Sequence, residues 1–87
     1  MQAMKAWVKE NNPQKGLTLM NLVLEEDEND IHILNHKGGV LFICSEYQKA
    51  IKCFDKCLRI NSNYTGALIN KKIVLRVMNK MKRIEMI

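Results

Sequence analysis

The chain is predicted to be all-α. Apolar residues recur three and four apart at Leu17, Met20, Val23 and Leu24 and again at Ile51, Phe54, Cys57 and Leu58, a spacing that gathers them on one face of a helix. No run shows the sustained alternation of a half-buried strand. A single Pro, four Gly and abundant Leu, Ile, Met, Lys and Glu agree with this reading. With 87 residues there is room for one small domain, which buries only roughly 60 to 65% of the surface its unfolded chain exposes. Its core must therefore be shared between neighbouring helical hairpins.

Six helices are expected, over residues 2–10, 14–28, 31–44, 48–60, 65–78 and 81–86, pairing as three antiparallel hairpins. The first is expected to lack its opening turn, and its residues Met1, Ala3, Met4, Ala6 and Trp7 make an apolar end. The second begins at Pro13, where a missing N–H costs nothing, and carries Gly16, whose cost of about 1 kcal/mol relative to Ala points to a close helix crossing. Asp30 caps the third through its carboxylate. The fourth follows Glu46-Tyr47, and Asn61, Ser62 and Asn63 turn the chain after it through side-chain hydrogen bonds. The fifth is expected to stop before Asn79-Lys80, leaving a short sixth that starts at Met81.

Positions 34 apart repeat this organisation: Tyr47 matches Pro13 and Met81, Ala50 matches Gly16, and Phe54 matches Met20. In the third helix Leu34, Gly38 and Leu41 form a large, small and large packing set, echoed by Leu68, Lys72 and Leu75, with Lys72 expected to extend its cation outward. The run from Tyr47 to Asn61 resembles the second helix of a tetratricopeptide repeat almost residue for residue. Residues 31–64 match one whole repeat of that family, while 1–30 and 65–87 match partial repeats. Ser62 stands where the family has Pro, and Ser45 where it has the hairpin Gly. The resemblance implies an all-α helical-hairpin solenoid of about two and a half repeats, a single domain over 1–87, and a protein-interaction scaffold that docks a peptide or helix on its concave face.

Carried onto this sequence, that face comprises His32, Asn35, His36, Gly39 and Phe42 of the central repeat and Ile69, Asn70, Ile73, Arg76 and Val77 of the next. The mix of amides, an apolar strip and one cation suits an unidentified protein or peptide with apolar anchors and an acidic group. Tetratricopeptide domains that hold chaperone tails use a Lys, Asn and Arg clamp on this face. Here only Asn70 falls in such a place, and Asn35 and Gly39 stand where a Lys and an Asn are wanted, so that ligand is rejected.

Charge is uneven. Residues 1–43 hold four Lys against six acids, net −2, and residues 44–87 hold ten Lys or Arg against three acids, net +7. The acidic run Glu25, Glu26, Asp27, Glu28 and Asp30 reads as a solvated connection. The basic set Lys71, Lys72, Arg76, Lys80, Lys82 and Arg83 reads as a soluble helical face or, as an alternative function, a nucleic-acid-binding one. It has no interleaved aromatic residues to stack on bases, so nucleic acid ranks below a protein partner. A further alternative is structural self-association, as a homo-oligomer through truncated apolar ends or as a fragment of a longer repeat array.

Metal, redox and catalytic readings are weaker. His32 and His36 lie four apart, but two imidazoles without a third ligand do not define a zinc site. Cys57 reads as a small buried hydrophobe, with Cys53 more exposed and Cys44 at a helix end. Three thiols without a secretory signal or membrane span suggest a reducing cytoplasm. No nucleophile elbow, phosphate-binding Gly loop or metal-hydrolase helix is present, and His36 and Cys44 stand about 12 Å apart along one helix. The expectation is a protein that is not an enzyme and needs no cofactor or metal.

Overall fold

The computed structural model describes residues 12–85. Within them the chain is all-helical: α1 (Pro13–Glu26), α2 (Ile31–Ile43), α3 (Tyr47–Ile60) and α4 (Thr65–Glu85). The helix expected over 2–10 lies outside the described residues. The expected pair over 65–78 and 81–86 is corrected to the single helix α4, so the described chain holds four helices and the third hairpin does not form. Asn79 and Lys80 contain no Gly or Pro to stop a helix, and Lys80, Met81, Lys82 and Arg83 are straight-chain residues that propagate one.

Local chemistry sets most of the boundaries. The Asn12 side chain accepts a hydrogen bond from Lys15 N–H at the start of α1, immediately before Pro13, and Asp30 accepts from His32 and Ile33 N–H at 3.1 Å each at the start of α2. These satisfy N–H groups that have no partner within the helix. Helix α1 stops at Glu26, two residues short of expectation, because Asp27 takes an extended backbone and its carboxylate accepts from Asn29 N–H at 3.1 Å, a local turn that competes with helix. Asn61 makes the same turn toward Asn63 N–H at 3.1 Å, as expected.

The α2–α3 turn is held by backbone bonds. Ser45 N–H donates to Phe42 C=O at 2.9 Å and Glu46 N–H to Leu41 C=O at 2.8 Å, around Ser45 at φ 64°. This is the paired-bond motif that closes helices through a left-handed residue, usually Gly. Ser45 thus accepts a conformation that costs an L residue roughly 1 kcal/mol.

Helices α2 and α3 share the most extensive interface, α4 packs on α3, α1 packs on α2, and α2 also touches α4. The core centres on Phe54, which is fully buried among Leu34, Leu41, Ala50, Cys57, Ala67 and Val74. A Cβ on Gly38 would lie 2.4 Å from the Phe54 ring, so only Gly lets α2 approach α3 this closely. Met20 and Val40 form a smaller cluster between α1 and α2. Val23, expected in the core, is exposed. The expected packing leucines of α4, Leu68 and Leu75, are exposed as well, and Ala67 and Val74 are buried in their place, because α4 meets α3 through the neighbouring side of its circumference.

Candidate partner-binding face

The residues projected onto an inner face come from α2 and α4, and the structure places these two helices in contact. At the contact Asn70 Nδ2 donates to Asn35 Oδ1 at 3.1 Å. Gly66 makes room for it, since a Cβ there would lie 3.0 Å from the Asn35 amide nitrogen. Both Asn residues are partly buried, so their paired amides form a polar seam between the helices and are only partly open to a ligand. A half-buried amide pair of this kind contributes about 1 kcal/mol.

Around the seam the ten projected residues divide into open and engaged. His36 is exposed, and Gly39 has open space where a side chain would stand. Ile69 and Ile73 are 52% and 44% exposed, and Arg76 is exposed without an ion-pair partner among the described residues. Val77 is half-buried. His32 is exposed but held: its Nδ1 lies 3.2 Å from the Tyr64 hydroxyl, and the two rings meet edge to face at 5.6 Å. Phe42 is drawn toward α3, its ring 5.7 Å from Tyr47 and packed against the main core, which leaves little of it for a partner.

Sequence reasoning missed Ile43, which is 62% exposed at the end of α2. It follows His36 and Gly39 at the i+7 and i+4 positions of the same helical face, a signal that was present in the spacing. Tyr64 was also missed; it lies in the connection before α4, packs against the main core and meets His32. Lys71, counted in the basic set, is occupied instead, with its Nζ 2.6 Å from Asp55 on α3.

A second region is built by α1, α2 and α3. Two clefts of ≈ 420 Å³ and ≈ 400 Å³ run between α1, α2 and α3 and share Asn21, Lys37, Lys52 and Cys53. Burial pushes the Cys53 thiol up, and the Lys37 and Lys56 charges only partly offset this. Burial, with Cys53 beside it, pushes the Cys57 thiol up to about 11, and that thiol donates to Ile31 C=O at 3.4 Å. Both are protonated at neutral pH and are poor nucleophiles. Among the described residues no cluster of three or more His, Cys, Asp or Glu could hold a metal ion, and no helix is long and apolar enough to cross a membrane.

No protein-family model matches the chain, and no curated protein matches it.

Proposed function

We propose that the chain is a protein-interaction module built from tetratricopeptide-type hairpins, which docks a peptide or short helix along the face shared by α2 and α4. The supporting observation is the repeat in helix starts: 34 residues separate Pro13 from Tyr47 and, equally, Ile31 from Thr65. Helices α1 and α3 then correspond, as do α2 and α4, giving half a repeat, one full repeat and half a repeat within the described residues. In this reading His36, Gly39 and Ile43 from α2 and Ile69, Ile73 and Arg76 from α4 are the docking residues. The Asn35–Asn70 bond fixes the spacing between the two helices. Exposed apolar side chains beside a bond-satisfied amide seam suit a partner that buries hydrophobic anchors. The protonated Cys53 and Cys57 thiols favour this over a catalytic role, and three free thiols fit a reducing, cytoplasmic setting.

The test is capture from nuclease-treated cytosolic extract at low and moderate salt, comparing the wild type with an Ile69→Asp/Ile73→Asp variant. Both residues are surface-exposed, so the thermal melt should be nearly unchanged. A protein retained by the wild type at both salts and lost by the variant is the expected result. Recovery of nucleic acid alone, or of the chain alone, would assign the function to the basic face or to self-association.

A further inference from the structure

Thirty-four residues after Leu34 and Leu41 stand Leu68 and Leu75. On α2 the two leucines are 4% and 7% exposed under α3; on α4 they are 40% and 42% exposed. No described segment covers them, because residues 81–85 extend α4 and do not fold back as a second helix. Between the leucines Lys72 replaces Gly38, and directly after Leu75 Arg76 replaces Phe42. On α2 these two positions meet Phe54 and Tyr47 of the covering helix. On α4, Lys72, Arg76, Lys80 and Arg83 recur four, four and three apart on one side and line a single open concavity with Leu75 and Asn79. None of the four cations has an ion-pair partner among the described residues, unlike Lys71.

We propose that this face of α4 docks an acidic amphipathic helix of another protein, seated on α4 as α3 is seated on α2. Its small apolar residues lie on Leu68 and Leu75, and its carboxylates meet Lys72 and Arg76. The register rests on the repeat reading above; Arg76 also borders the α2–α4 face, whereas Leu68, Lys72 and Leu75 belong to this site alone. Lys72 excludes a large ring at the place where Gly38 admits Phe54, so the guest carries a carboxylate there. Exposed leucines beside the cations have no counterpart in a phosphate backbone, which favours a protein helix over nucleic acid. At 100° per residue the two leucines share one edge of α4 and the four cations lie together beside them, so the guest presents an apolar edge next to a row of carboxylates, as an acidic amphipathic helix does.

The chain itself supplies the probe: a labelled peptide of residues 46–61 carrying Tyr47→Glu, Lys49→Glu, Lys52→Glu and Phe54→Glu, with Cys53→Ala and Cys57→Ala, titrated by fluorescence anisotropy. A scrambled peptide of the same composition separates helical register from bulk charge and should bind about tenfold more weakly. Affinity should fall about tenfold in Lys72→Glu and similarly in Leu68→Asp/Leu75→Asp, all exposed sites, with thermal melts checked for each. Ile43→Asp, an exposed site on α2, should leave it unchanged, which separates this surface from the α2–α4 face. Absence of binding, equal binding of the scrambled peptide, or loss only in the Ile variant overturns the proposal. So does displacement of the peptide by an oligonucleotide or by anionic vesicles at concentrations below that of the peptide itself.

Discussion

The hairpin of α2 and α3 and the single helix α4 begin from the same pattern 34 residues apart and end differently. At Ser45 the chain turns through a left-handed residue and returns as α3; at Asn79, the corresponding position, α4 runs straight on to Glu85. The turn at Ser45 is followed by residues that bury Ala50, Phe54 and Cys57 completely, and that burial offsets the backbone strain. In the described residues after Asn79, the straight-chain run Lys80, Met81, Lys82 and Arg83 favours helix propagation, one backbone bond per residue.

The largest effect expected from this difference concerns Phe54. Phe54→Ala should cost about 3–5 kcal/mol, enough to unfold a domain of this size or leave it barely stable, whereas Leu75→Ala on the uncovered face should stay within about 0.5 kcal/mol. Urea unfolding followed by circular dichroism measures both. Equal losses at the two sites would mean that the α4 face is covered in solution.

Next in size are the adjacent glycines of α2. Gly38→Ala forces a methyl group into the Phe54 ring and should destabilise by about 1–3 kcal/mol. Gly39→Ala enters open space and should stabilise by about 0.5–1 kcal/mol through helix propensity alone. Opposite signs at neighbouring residues are the expected outcome; a stabilising Gly38→Ala would place α3 farther from α2 than the structure does.

The sequence carried the central hairpin well. Periodicity and caps gave α2 and α3 to within a residue, Asp30 caps as expected, and Phe54 and Cys57 are buried as expected. Two kinds of information were harder to read. Helix ends decided by side-chain competition, as at Asp27, depend on which local bond wins. The fates of Leu68, Leu75 and Phe42 depend on which neighbouring helix is present and how it is rotated, and spacing within one helix does not record this. Of the residues projected onto an inner face of α2 and α4, Asn35, Asn70, His32 and Phe42 have partners inside the chain. The Asn35–Asn70 and His32–Tyr64 contacts span 35 and 32 residues and leave no local signal.

Alkaline pH probes the covered interface from within. Burial raises the Cys57 thiol from its ordinary 9.0 to about 11. The folded chain therefore keeps a proton that the unfolded chain loses, so the contribution is complete below pH 9 and declines as pH rises toward 11. The raised Cys53 thiol acts in the same direction. Urea midpoints below pH 9 and near pH 11 should show a smaller drop in Cys57→Ala than in the wild type. Identical drops would indicate that water reaches this thiol in the native state.

The smallest effect tests the two turn positions directly. Ser45 sits at φ 64°, where Gly has no Cβ penalty, so Ser45→Gly should stabilise by about 0.5–1 kcal/mol. Asn79 sits inside α4, where Gly loses helix propensity, so Asn79→Gly should destabilise by a few tenths of a kcal/mol. One substitution at two corresponding positions thus acts in opposite directions, and its sign reports whether the chain turns there. A stabilising Asn79→Gly would mean that α4 breaks in solution and that residues beyond it fold back over Leu68 and Leu75. The acidic-helix site would then be occupied by the chain itself, and the labelled peptide should fail to bind for that reason.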